Sequence, residues 1–136
     1  MTTEHAKIRI LFIEDDPSWQ QIGRRILSDI DPRFLVRTAS AAAAAIEILE
    51  ASSGFQLIIS DYFLEGSPLT GLDISKFCTS RNNPTPFIIF SGRNPAEIEA
   101  DAGSALSVPV ISKISSFKEI RDAFSVLLKP MFDISR

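Results

Sequence analysis

Short apolar runs alternate along this chain with longer segments in which apolar residues recur at helical spacing. The apolar runs are rich in Ile, Val, Leu and Phe, which is typical of strands buried on both faces. The pattern predicts strands at 8–13, 34–38, 55–60, 87–90 and 108–111, and helices at 17–30, 41–51, 71–79, 95–102 and 117–128. Right-handed crossovers between these elements predict an α/β fold, a doubly wound, five-stranded parallel sheet with helices on both faces.

Capping residues mark where several helices begin. Asp16 followed by Pro17 predicts the start of the first helix, because an Asp side chain satisfies a free backbone N–H and proline suits the first helical position. Ser40 is predicted as the N-cap of the second helix. One apolar stripe of the first helix contains Trp19, Ile22, Ile26 and Ile30.

Composition restricts the class of protein. A chain of 136 residues, 45% apolar, is predicted to form one domain at 8–129 with tails at 1–7 and 130–136. The net charge of −3 gives no basic footprint, so direct binding to nucleic acid is not expected. The single cysteine, Cys78, cannot form an internal disulfide, which favours a cytoplasmic location. The polar N-terminus, which contains His5, lacks the apolar segment of a signal peptide, so none is expected, and no apolar run is long enough to span a membrane.

Polar side chains follow four of the predicted strands, at the point where each strand ends. Glu14 and Asp15 follow the first strand, Asp61 the third, Ser91 the fourth and Lys113 the fifth. Because ligands of such sheets bind outside the carboxyl ends of the strands, we expect these side chains to meet in one crevice.

The chemistry of this set indicates phosphoryl transfer. Carboxylates are the ligands of Mg²⁺, which binds one or two of them together with water and phosphate oxygens. The Ser91 hydroxyl and the Lys113 ammonium supply one hydrogen bond and one positive charge for a phosphoryl group. Asp61, alone at the end of the central strand, is the predicted nucleophile. From the sequence, either Glu14–Asp15 or Asp15–Asp16 could form the first acidic pair, and the capping role of Asp16 favours Glu14–Asp15.

The sequence resembles the receiver domains of two-component response regulators over nearly its whole length. Ser91 follows Asp61 by 30 positions and Lys113 follows Ser91 by 22, which are intervals typical of that family. The matched residues are Glu14, Asp15, Asp61, Ser91, the small Gly92 and Lys113. The resemblance implies a flavodoxin-like fold and a single-domain switch, whose only catalytic activity is its own phosphorylation and dephosphorylation.

The resemblance also implies a role for each site residue. Asp61 would take a phosphoryl group from the phosphohistidine of a sensor kinase or a histidine phosphotransfer protein. Asp15, Asp61 and the backbone carbonyl of Phe63 would bind Mg²⁺, with Glu14 acting through water. The phosphoryl oxygens would be held by Ser91, Gly92 and Lys113.

Two further expectations concern the rim of the site and its partners. Phe63 and Arg93 would flank the path of hydrolytic water, so that the phosphorylated form loses its phosphate slowly. Trp19 would help to dock the phosphodonor. Because no DNA-binding segment follows the last helix, we expect output through a downstream protein partner. A homodimer through the last two β-α units is a further expectation.

Some positions depart from the family pattern. Glu65 stands where proline is usual, and Gly71 follows Asp61 by ten residues where eight is common. Ile114 replaces the proline that normally follows the lysine, so this loop is either trans or strained. Val110 replaces an aromatic residue, which excludes an aromatic switch there. These departures support an alternative, a receiver-like interaction module that acts independently of phosphorylation. A phosphohydrolase is not favoured, because no acid stands two residues after Asp61.

Overall fold

The protein, seen in a computed structural model that describes residues 6–134, forms five consecutive β-α units. His5 and most of the predicted 1–7 tail lie outside the described residues. The strands are β1 (Ile8–Ile13), β2 (Phe34–Ala39), β3 (Leu57–Ser60), β4 (Phe87–Ser91) and β5 (Val110–Ser112). The helices are α1 (Pro17–Ile30), α2 (Ala42–Ala51), α3 (Gly71–Ser80), α4 (Pro95–Ala102) and α5 (Phe117–Phe132).

The five strands form one parallel sheet in the order β2-β1-β3-β4-β5. This order brings the carboxyl ends of β1 and β3 side by side at the centre of the sheet, with β4 and β5 next to β3. The predicted doubly wound α/β fold is confirmed. Among the described residues, no helix is long and apolar enough to cross a membrane.

Two apolar cores hold the helices against the sheet. Successive residues of a strand point to opposite faces, so Phe12 of β1 packs with Ile26 and Phe124 beneath α1 and α5. Leu11 packs on the other face, with Ala45 of α2 and Ile74 of α3. The helices therefore lie on both sides of the sheet, and the site lies at its carboxyl edge.

Several element boundaries differ from the prediction by a few residues. Helix α2 is capped by Ala41 without a side-chain hydrogen bond, so the expected Ser40 cap was wrong. Strand β5 begins after Pro109, because proline has no N–H to join the ladder. Helix α5 continues through Pro130 to Phe132. The Phe132 ring packs edge-on against Phe34 at 5.7 Å between centroids, which explains why the last turn persists.

Candidate functional site

Four of the five side chains expected to meet at the strand ends line one crevice at the carboxyl edge of the sheet, whereas the buried Ser91 does not line it. It contains residues from the ends of β1 and β3 and from the loops after β4 and β5. The residues that line it are Glu14, Asp15, Asp16, Pro17, Trp19, Asp61, Glu65, Gly92 and Lys113.

Three carboxylates in this crevice form a set that suits a divalent cation. Glu14, Asp15 and Asp61 each offer one oxygen, and these oxygens lie within 4.8 Å of one another. Oxygens bound to one Mg²⁺ at about 2.1 Å are at most roughly 4.2 Å apart, so only small side-chain movements would bring all three into contact with the ion. Asp16 is not part of this set, because its carboxylate caps α1 by accepting a hydrogen bond from Ser18 N at 2.8 Å.

Lys113 joins two of the acids. Its Nζ lies 2.5 Å from Glu14 Oε1 and 2.8 Å from Asp61 Oδ2. The backbone N–H of Lys113 donates to Ser91 O at 2.9 Å, which extends the β4–β5 pairing to this residue. No cis peptide bond occurs among residues 6–134, so the loop that contains Ile114 is trans. The loss of the usual proline therefore does not move Lys113 away from Asp61.

Glu14 is almost completely buried, with 1% of its surface exposed. Burial raises the pKa of Glu14 from its ordinary value near 4.5 to about 7, although the hydrogen bond and the charge of Lys113 act in the opposite direction. The carboxylate form of Glu14 therefore depends on a neighbouring positive charge. The charge of Lys113 offsets the effect of burial only in part, and a metal ion would favour the carboxylate form further.

On the β4 side, Ser91 is buried and Gly92 is exposed. Ser91 Oγ accepts a hydrogen bond from Arg93 N at 3.1 Å, which fixes the turn that follows the strand. A Cβ added to Gly92 would meet no atom within 4 Å, so the protein itself does not require glycine at this position.

The two residues expected to flank the water path contact each other. The Arg93 guanidinium lies 4.6 Å from the centre of the Phe63 ring, a cation–π geometry. The Phe63 ring also packs edge-on against Tyr62, at 4.6 Å between centroids. Phe63 and Arg93 thus form a pair that lies two residues after Asp61 and next to Gly92 in the chain, and the sequence did not predict this contact.

Trp19 belongs both to the core and to the crevice. Its ring is partly buried and packs edge-on against Phe90 at 5.4 Å, while Lys113 Nζ lies 5.0 Å from the ring centre. The predicted apolar stripe of α1 is confirmed by its packing on the sheet. Substitution of Trp19 would therefore affect both core packing and the surroundings of Lys113.

Two further contacts, one in the crevice and one made by the residue that follows Asp61, were not predicted from the sequence. Glu65 N donates to Asp15 Oδ2 at 2.8 Å, and the hydroxyl of the buried Tyr62 donates to Asp101 Oδ2 at 2.6 Å. Burial and the Asp101 carboxylate raise the pKa of Tyr62 to about 12. Backbone donors and tertiary pairs of this kind leave no periodic signal in the sequence. Only the presence of Glu65 where proline is usual hinted at the first of these contacts.

Gly71 explains how the unusual loop after β3 returns to the sheet. A Cβ on Gly71 would lie 2.3 Å from the backbone oxygen of Asp61, and Gly71 N donates to Tyr62 O at 2.8 Å. The first residue of α3 therefore packs directly on the backbone of the predicted acceptor. Glycine is required here for close approach, although the loop is longer than usual.

Fold and site together define an α/β domain with an acidic crevice at the carboxyl edge of its sheet, and comparison with known proteins identifies the family. The family model described as "Response regulator receiver domain" matches residues 10–125. The chain therefore belongs to the response regulator receiver domain family, as the resemblance implied.

Individual relatives agree with this assignment. The transcriptional regulatory protein MalR of Bacillus subtilis (strain 168) is 26% identical over 118 residues, which cover 87% of this chain and 49% of MalR. The chain thus spans about half the length of that relative. The signal receiver domain of a putative Luxo repressor protein from Vibrio parahaemolyticus has a TM-score of 0.72 at 21% identity, with 92% of each chain covered.

Two further solved structures share the fold. The phosphorylated cyanobacterial phytochrome response regulator RcpA gives a TM-score of 0.76 at 17% identity, covering 96% of this chain and 98% of its own. The response regulator TrrA of Thermotoga maritima, solved in complex with Mg²⁺-BeF, gives 0.69 at 18% identity, covering 88% of this chain and 98% of its own.

Proposed function

We propose that this receiver domain is a phosphoacceptor switch, in which Asp61 takes a phosphoryl group from a phosphohistidine donor with the help of Mg²⁺. The observation that carries the proposal is the Lys113 ammonium, placed 2.8 Å from Asp61 Oδ2 inside a cluster of three carboxylates. An ion pair with this much excess negative charge is poorly suited to a purely structural role, since like charges at this distance repel.

Each site residue would have its own role in the transfer of the phosphoryl group. An Asp61 oxygen attacks phosphorus, the N–P bond of the donor breaks, and its electron pair stays on the imidazole, which then takes a proton from solvent. Lys113 and the Ser91 hydroxyl would hold the phosphoryl oxygens, with the backbone of Gly92 close by. Lys113 is already in place, so it needs only to exchange a carboxylate partner for a phosphoryl oxygen.

Mg²⁺ would be held by Asp15, Asp61 and the backbone carbonyl of Phe63, with Glu14 acting through water. When bound, the ion neutralises the charge that develops on the transferring group. This ligand set is supported by the three carboxylate oxygens within 4.8 Å of one another.

The alternative, an interaction module independent of phosphorylation, had its main support in the altered loop and in Ile114. Neither feature disturbs the arrangement of the site residues. Lys113 and Asp61 remain paired, and Gly71 packs the end of the loop after β3 against Asp61. We therefore favour the phosphorylation-dependent switch. The proposal also includes a cytoplasmic location for this chain and a sensor histidine kinase or histidine phosphotransfer protein as donor. A downstream protein would receive the signal, and the chain would form a homodimer through the last two β-α units.

Incubation with acetyl phosphate and Mg²⁺, followed by intact mass measurement, tests the acceptor. The wild-type protein should gain the mass of one phosphoryl group, Asp61→Ala should gain none, and Asp15→Ala should react slowly because it binds Mg²⁺ weakly. Asp16→Ala is the matched control, since this exposed acid caps α1 and should leave the reaction nearly unchanged. Phosphate incorporation by Asp61→Ala would show that the acceptor is another residue.

A further inference from the structure

Glu65 makes a contact that proline at the same position could not make. Its backbone N–H donates to Asp15 Oδ2 at 2.8 Å, and Glu65 lines the acidic crevice together with Asp15 and Asp61. The position is four residues after Asp61, where the family usually carries proline. Proline has no N–H, so this hydrogen bond exists only because the usual residue has been replaced.

The turn that contains Glu65 has a backbone form that suits proline. Ser67 N donates to Leu64 O at 3.1 Å, and Gly66 has φ of +75°. This geometry matches a type II turn with Glu65 at its second position, where proline is common, and glycine at its third. A Glu65→Pro variant therefore keeps the turn and removes the hydrogen bond, and the Asp15 carboxylate must turn away from the proline ring.

We propose that the Glu65 N–H is a positioning group for the divalent cation, an inference that rests on the proposed function. A carboxylate has two oxygens and about four acceptor sites. The hydrogen bond occupies one site on Asp15 Oδ2 and restrains the side chain, while acceptor sites remain for the metal. Outer partners that orient ligating carboxylates typically change metal affinity by about 10- to 100-fold.

The loop also has two anchors that hold the Glu65 N–H in place. Leu64, the preceding residue, is 3% exposed and packs into the core that α2, α3 and α4 cover. Beyond the turn, Leu69 N donates to Ser67 Oγ at 3.1 Å. The donor is thus presented by a braced turn rather than by a free loop, as orientation of a ligand requires.

The experiment compares Mg²⁺ binding by the wild-type protein, Glu65→Pro and Glu65→Ala. Both variants lack the side-chain carboxylate of Glu65, and only Glu65→Ala keeps the backbone N–H at position 65. Calorimetric titration gives the dissociation constant, and the fluorescence of Trp19, the single tryptophan, reports on the same crevice. Glu65→Ala should weaken binding by no more than about fivefold, since it removes only an exposed charge. Glu65→Pro should weaken it by about tenfold more.

Equal dissociation constants for Glu65→Pro and Glu65→Ala would overturn the role of the N–H and leave the proposed function intact. A wild-type protein that binds no Mg²⁺ would instead overturn the metal-dependent function itself. Thermal melts should show that Glu65→Pro is folded. A second measurement avoids the substitution at position 65 altogether: amide hydrogen exchange of Glu65 should accelerate in Asp15→Ala, and unchanged exchange would also overturn the inference.

Discussion

At the scale of single residues, the contact between Phe63 and Arg93 bears on how long a signal would last. The Phe63 ring is 40% exposed and the Arg93 guanidinium lies over it at 4.6 Å. Neither side chain can act as a base or accept a hydrogen bond from water. The pair should therefore slow the approach of hydrolytic water to phosphorylated Asp61.

Phe63→Asn tests this explanation. Asparagine removes the apolar cover and the cation–π contact, and its amide can hydrogen-bond a water molecule near the phosphoryl group. We expect the phosphorylated form to lose phosphate on the order of tenfold faster, about 1.4 kcal/mol in the barrier. The decay is followed by intact mass after the donor is removed.

Phe63→Leu is the matched control, because it keeps apolar cover without adding a polar group, and Arg93→Glu removes the cation from the pair. Leucine should change the decay less than asparagine. Unchanged or slower decay in Phe63→Asn would contradict the role assigned to this pair, and the loop after Asp61 would then be the next region to test.

Trp19 allows a second prediction at this scale. Because its ring packs on Phe90 and also lies near Lys113, Trp19→Ala should cause some loss of stability whatever its role. If Trp19 also contacts the phosphodonor, transfer from a cognate donor protein should slow by about tenfold or more, a value typical of an aromatic anchor at an interface. Phosphorylation by acetyl phosphate should slow much less. Equal slowing with both donors would indicate damage to the core alone.

At the scale of elements, the sequence predicted every strand and helix, because apolar runs and capping residues are local signals. The predicted first and last residues of an element were less accurate where a contact with another element determines how far it extends. Helix α5 passes Pro130 because Phe132 packs on Phe34, and β5 extends to Ser112 because it pairs with β4 as far as Ser91. The same distinction applies to the site. The ends of the predicted strands were enough to bring Asp61 and Lys113 together. The position of the Glu65 N–H, in contrast, depends on the path of a loop, which the sequence pattern does not predict.

The junction between β3 and α3 provides a prediction of its own. Gly71→Ala would place a methyl group 2.3 Å from the backbone oxygen of Asp61, so the helix or the acceptor must move. We expect a loss of about 1–3 kcal/mol in the free energy of unfolding, as for other overpacked sites, and slower phosphorylation by acetyl phosphate. Denaturant unfolding gives the first quantity and intact mass the second.

Gly92→Ala is the control for stability, because a Cβ at Gly92 meets no atom within 4 Å. It should unfold within about 0.5–1 kcal/mol of the wild-type protein, as a glycine substitution in open space would. If Gly71→Ala were as stable as Gly92→Ala, the close approach of α3 to the acceptor would not restrict this position.

At the scale of the whole molecule, the crevice concentrates negative charge in a chain whose net charge is only −3. Glu14, Asp15 and Asp61 contribute three potential negative charges, and Lys113 is the basic residue among those that line the crevice. Without a cation these acids repel one another, which opposes folding. Stability of the entire domain should therefore be linked to occupancy of the site.

This linkage gives a prediction that needs no phosphodonor. An ion that binds only the folded state at 100 times its dissociation constant adds about 2.7 kcal/mol of stability, which corresponds to roughly 8–12 °C in melting temperature for a domain of this size. Scanning calorimetry of the wild-type protein should show this rise with Mg²⁺, and NaCl at the same ionic strength should give a much smaller one, because it only screens the charges. Asp15→Ala should lose most of the Mg²⁺ effect while it keeps the response to NaCl. If NaCl matched Mg²⁺ in the wild-type protein, the stabilisation would be screening alone, and the carboxylate cluster would not be a specific cation site.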